Sequence, residues 1–463
     1  MLCLAASWLT FLLFLLSLCS AEKEPKHLCS RGKSVERWIS NSSTLSLNQS
    51  KIDISFYDIS IDINFESNTI NGSVGVNGFI DNNLPEYIEL DFYNNMEVNS
   101  ILQNNGQVSF LHEQNKIKIP INNIIIQGDN YFSILIKYQG TPQDCGAGGF
   151  KFDEHLGVDH VWTLSEAYCA RSWWPSKDDP SDKADSVYVR VTVPANPNFI
   201  VASNGLLDSI TNDGDKNTFF WKEKYPITTY LVSLAIYPYT IWSEQYISSI
   251  SNDTMAIEHY VFPDRYESSF SNYSLTGEMI SFFSGLFGEY PFISEKYGHA
   301  DFKWGGGMEH QTLSSMGSSS QNLIVHELGH SWWGNLITCK TFNDIWLNEG
   351  FARYCQALWV EHINGKEAYF SFMNDYAYYG DGTIYVENPS SNSQIFNSNL
   401  SYNKASWVLH MLRRKVGDDT FFEILKSYAS NDTLAYNAAS TADFQKISED
   451  ISDQNLELFF QLY

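Results

Sequence analysis

His326, Glu327 and His330 stand in the order His-Glu-Leu-Gly-His, inside a stretch from Asn322 to Trp333 whose apolar residues recur at helical spacing. Residues four apart project from one face of a helix, so both imidazoles can reach one metal ion. Glu327 is displaced around the helix from the first histidine. A carboxylate there can hold a metal-activated water and take its proton. With 11 histidines in the chain, such a string also arises by chance as a pair of helical core histidines. The next element argues against chance. Glu349 lies in Asn348-Glu349-Gly350-Phe351 at the head of the following helix, and hydrolytic zinc uses three protein ligands with a fourth position open to water. The expectation is one Zn2+ per chain, held by His326, His330 and Glu349, with Glu327 as the base. Asp344 is near enough in sequence to orient a ligand histidine or to cap a helix.

These residues need a helical scaffold, and the chain supplies one only in its second half. From Ile52 to Ile241 hydrophobicity alternates with period two, as in Ile59–Phe65, Ser133–Tyr138 and Val187–Pro194, with turns at Asn71-Gly72 and Asp213-Gly214. Antiparallel strands with one wet face follow from that pattern. After Ser251 the period becomes helical. Leu275–Phe287, Asn322–Trp333, Asn348–Ile363, Asn403–Lys415 and Thr420–Ser430 read as helices, the first stopping at Gly288. The fold class is α+β, with a β-domain over residues 45–250 and a mostly helical domain over residues 251–463. No flexible linker separates them, so a cleft between tightly packed domains is expected.

His326, Glu327, His330 and Glu349, with eighteen residues between the last two, match the signature of the gluzincin aminopeptidases. The flanking words agree. His330-Ser331-Trp332-Trp333-Gly334-Asn335 resembles that family's H-Q-W-F-G-N, and Trp346-Leu347-Asn348-Glu349-Gly350-Phe351-Ala352 is its W-L-N-E-G-F-A. Upstream, Gly306-Gly307-Met308-Glu309-His310 is similar to the G-x-M-E-N exopeptidase motif, and Tyr402-Asn403-Lys404-Ala405 to Y-x-K-G. Pro175-Ser176-Lys177-Asp178-Asp179-Pro180 resembles P-C-x-D-E-P with serine at the cysteine.

The resemblance implies an antiparallel β-saddle followed by a thermolysin-like zinc-peptidase domain. It also implies removal of single residues from peptides with a free N-terminal amine. Glu309 and, from the β-domain, Glu166 would bind that amine. Gly306 and Gly307 would let a peptide backbone approach a strand edge. Met308 points to an apolar first pocket or to plain core packing. Tyr402 would donate a hydrogen bond to the oxyanion of the tetrahedral intermediate. His310 replaces the family's asparagine, so its charge, and substrate affinity with it, are expected to vary near neutral pH. The chain stops where the family's catalytic domain stops, so a helical C-terminal domain is expected to be missing and the cleft to be open or roofed by a partner. Two rival readings stand beside the peptidase: a catalytically silent peptide-binding protein of the same fold, and a lipid epoxide hydrolase.

Composition narrows the setting. The 463 residues are 43% hydrophobic and 18% charged, which excludes a disordered or fibrous chain. A formal net charge of −25 argues against nucleic acid as a partner and would attract cations. Leu2 to Cys19 is an apolar run ending in Ser20 and Ala21. Residues 1–21 read as a secretory signal cleaved near Ala21, giving a secreted protein, or residues 2–19 stay as a membrane anchor. Seven Asn-x-Ser/Thr sequons, at Asn41, Asn48, Asn71, Asn252, Asn272, Asn399 and Asn431, permit glycosylation without demanding it. Beyond Cys3 and Cys19, five cysteines remain, so at least one thiol is free or pairs elsewhere. Cys145–Cys169 and Cys339–Cys355 are both open as disulfides.

Overall fold

The computed structural model describes residues 45–145 and 148–463. The signal segment, Asn41 and Cys29 lie outside them. An eight-stranded sheet forms the bulk of the first domain, in the order Leu206–Asn212, Lys216–Glu223, Ser186–Pro194, Ile52–Asn64, Thr69–Ile80, Tyr131–Gly140, Glu97–Gln103, Gly106–Val108. Its pairs are antiparallel except one: Ile52–Asn64 runs parallel to Ser186–Pro194, a departure from the all-antiparallel expectation. Such a pair needs a long crossover, and the crossover here contains Glu166. The alternation in the first strand is real but broken once. Ile52 and Ile54 are buried, a bulge between Ile54 and Phe56 resets the register, and Tyr57, Ile59, Ile61 and Ile63 then face the core.

A second, four-stranded sheet matters more for function. Its order is Ile200–Ser203, Leu234–Tyr237, Val158–Leu164, Gly149–His155. Ser203 pairs with Leu234, and Trp162 with Ala235. One end of this sheet therefore presents three loops together: Glu166 after Leu164, Asn204 after Ser203, and Tyr230 before Leu234.

Thr240–Ile247 pairs with Thr254–Val261 rather than with the β-domain. The two open a mixed sheet that continues through Lys296–Asp301 and Ser314–Met316 to a two-residue edge strand, Gly307–Met308. Around that sheet stand the helices. Thr276–Phe287 stops at Gly288, at the expected place. Gln321–Gly329 starts where the Ser320 side chain accepts the Leu323 N–H, and it buries Leu323, Ile324, Val325 and Leu328. Trp346–Asp375 runs past its expected end at Ile363, through a break at Gly365, whose φ of 82° suits glycine. Ala405–Val416 and Asp418–Ala429 complete the layer that covers it. Cys145 and Cys169 form a disulfide, and Cys339 and Cys355 are buried thiols. Among the described residues, no helix is long and apolar enough to cross a membrane.

Candidate active site

Helix Gln321–Gly329 and the head of helix Trp346–Asp375 pack together and bring three donor atoms into a triangle. His326 Nε2 lies 3.2 Å from Glu349 Oε2, His330 Nε2 lies 3.3 Å from the same oxygen, and the two Nε2 atoms are 3.3 Å apart. A tetrahedral ion with bonds of about 2.0–2.1 Å holds its ligand atoms about 3.3–3.4 Å apart, so the donor set fits zinc. All three side chains are fully buried. His330 Nδ1 bonds the Trp333 carbonyl at 2.9 Å, which fixes the ring as an Nδ1–H tautomer and frees Nε2 for a metal.

The charges agree with that reading. Burial opposes a charged His330, yet Glu309, Glu349 and Glu327 around it raise its pKa to about 10. The site thus favours positive charge at this point, whether a proton or a metal ion carries it. Burial holds His326 down to about 4 against the pull of Glu349. Burial also works against the Glu349 carboxylate, but hydrogen bonds from both histidines keep it well below the usual carboxylate range. A second set, Glu309, Glu327 and His330, could also hold a metal. In it His330 Nδ1 is 3.8 Å from Glu309 Oε1 but already engaged by the Trp333 carbonyl. The first set is the better metal site.

Glu327 is buried and pressed against the edge strand. A Cβ built on Gly307 would sit 2.2 Å from Glu327 Oε1, so glycine at 307 is what lets this carboxylate approach the strand. Gly307 and Met308 pair with Met316 and Ser315, and the Gly306 carbonyl accepts the Gly317 N–H. Glu309 follows directly. Single ligand atoms of Glu309, Glu327 and His330 lie within 4.8 Å of one another, so the Glu309 carboxylate stands beside the base and one metal ligand.

Glu166 is fully buried at the end of the four-stranded sheet. The segment after it is held by Arg171, whose Nε lies 2.9 Å from Asp178 Oδ2 and whose Nη1 lies 3.3 Å from Asp91 Oδ1. Asp178, and Lys177 through its pair with Asp182, are thus structural parts of the Pro175–Pro180 stretch.

Tyr402 sits in a turn of π-helix, Ser398–Lys404, which precedes the helix at Ala405 and was not expected from the periodicity. Its ring stacks on His326 with centroids 6.0 Å apart, and its phenol donates to Glu349 Oε1 at 2.8 Å. Lys404 points away and bonds the Gly382 carbonyl. Asp344 bonds no histidine among the described residues but accepts from Thr441 N and Oγ1, at the start of the helix Thr441–Ser452.

One expectation changes, and one alternative is favoured. His310 is buried and bonded through Nδ1 to Ser315 Oγ at 2.9 Å, and burial pushes its pKa down to about 3. It stays neutral around pH 7, so its charge does not vary there. Met308 packs into the core shared with Phe302 and Leu313, which is the second of its two expected roles.

Two residues of this site carried no sequence signal of their own. The Tyr230 phenol is kept protonated by burial first, and then by the fields of Glu309, Glu166, Cys339 and Glu349. It accepts a hydrogen bond from Asn348 Nδ2 at 3.2 Å, while Asn348 Oδ1 accepts from Cys339 N at 3.1 Å. Asn348 was visible only as a letter of the Trp346–Ala352 word. Tyr230, 79 positions earlier than Glu309, lies in an ordinary run between strands.

Comparison with known proteins agrees with this architecture. A family model described as "Peptidase M1 N-terminal domain" matches residues 53–231, and one described as "Peptidase family M1 domain" matches residues 308–463. "Probable aminopeptidase 2" of Sulfurisphaera tokodaii is 24% identical over 426 residues, covering 85% of this chain and 51% of that protein. "Aminopeptidase N" of Homo sapiens is 27% identical over 375 residues, covering 71% and 37%. The chain therefore spans about half, or less, of the length of these relatives. Among solved structures, an M1 zinc metallopeptidase variant from Deinococcus radiodurans, bound to a Tyr-Ser-Ala substrate, superposes with a TM-score of 0.77 at 24% identity. That match covers 91% of this chain and 96% of the other.

Proposed function

We propose that this chain, which belongs to peptidase family M1, is an exported zinc aminopeptidase that removes single N-terminal residues from peptides. The observation that carries the reading is the pairing of a zinc-sized triangle with an adjacent buried carboxylate pair: Glu327 as the base, Glu309 as the amine anchor.

His326, His330 and Glu349 would hold zinc, which would supply Lewis acidity to a water and to the scissile carbonyl. Glu327, pressed onto Gly307, takes the water's proton and passes it to the leaving amine. The edge strand Gly307–Met308 offers backbone groups to an extended peptide. Glu309 and Glu166 hold the α-ammonium, which carries much of its charge near neutral pH, and so allow one residue between amine and scissile bond. Tyr402 exchanges its bond to Glu349 Oε1 for one to the oxyanion as charge develops there. Peptides with a free amine are the substrate class, in line with the tripeptide in the Deinococcus structure.

A Glu327→Gln variant tests the enzyme against a silent peptide binder. The expected outcome is full zinc content with kcat reduced about 10²–10⁴-fold, the weight of a positioned base. Unchanged turnover would sink the mechanism. Export rests on the Leu2–Cys19 run and is supported by the Cys145–Cys169 disulfide. Asn252, on the exposed turn before Thr254, is the sequon best placed to report it. A glycosidase-sensitive mass shift lost in Asn252→Gln is expected on the secreted protein; its absence from every sequon in a eukaryotic host would count against export.

A further inference from the structure

The amine anchor belongs to the helical domain, yet the loop that carries it is tied to the β-domain. Asn204, 2% exposed at the end of strand Ile200–Ser203, has a fully committed amide. Its Nδ2 donates to the Leu231 carbonyl at 2.9 Å and to the Gln311 carbonyl at 2.6 Å, and its Oδ1 accepts the Ser233 N–H at 2.7 Å. Gln311 is two residues beyond Glu309. Leu231 follows Tyr230, whose phenol is bonded to Asn348, the neighbour of Glu349. One side chain thus joins the two segments that enter the site from opposite domains.

Other bonds hold the same loop by different atoms. Thr312, at φ +63°, accepts from Gly205 N at 2.8 Å and donates to Glu223 Oε2 at 3.3 Å. Gln311 Nε2 reaches the Pro226 carbonyl, and Asn335, in the loop after His330, donates to the Glu309 carbonyl at 2.9 Å. These keep the loop attached if Asn204 is lost. What Asn204 adds is distance control: it fixes the backbone beside Glu309 against the strand ends that also place Tyr230. A buried amide with both donors and its acceptor engaged leaves little freedom for the groups it joins.

We propose that Asn204 is a positioning residue for the amine site, setting the spacing between the Glu309 carboxylate and the metal ligands from across the domain boundary. This rests on the aminopeptidase reading. A misplacement of an anchoring group by about 1 Å is enough to cost a large factor in rate or affinity.

The test compares an aminoacyl-anilide with its des-amino counterpart, using the full chain loaded with zinc. Asn204→Leu, similar in size but without hydrogen bonds, is expected to raise KM for the free-amine substrate about tenfold. Its kcat and zinc content should stay near wild type, and the des-amino substrate should be unaffected. In a Glu309→Gln background the same substitution should have no further effect on KM. Gln311→Leu, which cuts only the Pro226 bond, serves as the control for loosening the loop and should leave the ratio between substrates unchanged. Should Asn204→Leu not fold, Asn204→Ala leaves room for a water and carries the same expectations. Equal losses on both substrates, or additive losses with Glu309→Gln, would overturn the positioning role and leave the aminopeptidase standing. Failure of the wild type to cleave the free-amine substrate would take both down.

Discussion

The metal-facing end of the site comes from two consecutive helices between Gln321 and Asp375, with its three donor atoms on 24 residues of chain. The amine-facing end draws Glu309 from the edge of the mixed sheet, and Glu166 and Tyr230 from one end of a β-domain sheet. The first is local: helix geometry places His326 and His330, and one helix–helix contact adds Glu349. The second exists only when two domains are docked. Damage at the metal end should therefore appear in kcat, and damage at the amine end in KM and in the choice between free and blocked substrates.

Tyr402→Phe probes the metal end. The variant should keep its zinc, because the Tyr402 phenol bonds Glu349 through Oε1, not through the Oε2 that faces both histidines, and lose about 10²–10³-fold in kcat, the range for one oxyanion donor. A loss in KM alone would place the phenol among the binding groups instead. At the other end, Glu309→Gln should raise KM for free-amine substrates roughly 10–100-fold, the worth of a charge-assisted hydrogen bond. Metal content should not change, and blocked substrates should be indifferent. If blocked and free substrates suffer alike, the division between the two ends is wrong.

The smallest effect is expected at His310. Its folded pKa of about 3 lies below its ordinary value near 6.5. The unfolded chain therefore binds a proton there that the folded protein refuses. This neutral histidine contributes stability that is complete above about pH 6.5 and is lost as pH falls toward 3. His310→Asn should make the unfolding midpoint less sensitive to acid in that window, while the pH profile of kcat/KM between pH 6 and 8 stays as in the wild type. A shifted kinetic profile would restore a titrating role in binding.

The same contrast explains what could be read in advance. Four-residue spacing, an apolar helix face and a carboxylate on the next helix are local patterns, so the metal set was legible from residue types alone. Glu309 and Glu166 were reached only through resemblance, because no periodicity links residues 143 positions apart. The strands were legible by alternation, but the parallel pairing of Ile52–Asn64 with Ser186–Pro194 was not, since pairing partners leave no mark on either strand. The π-turn at Tyr402 breaks the helical period that would have announced it. Burial decided the rest: His310, just past the edge strand, is turned inward and differs from its expected role, while Met308 takes the second of its two expected roles.

The most direct test is hydrolysis of a panel of aminoacyl-chromogenic substrates and their N-acetylated forms, with and without zinc chelation. Fast cleavage is expected for the free-amine set and at most slow cleavage for the acetylated set, both abolished by the chelator and restored by zinc. Cleavage of the acetylated set at comparable rates, or cleavage that survives complete removal of the metal, would contradict the aminopeptidase reading.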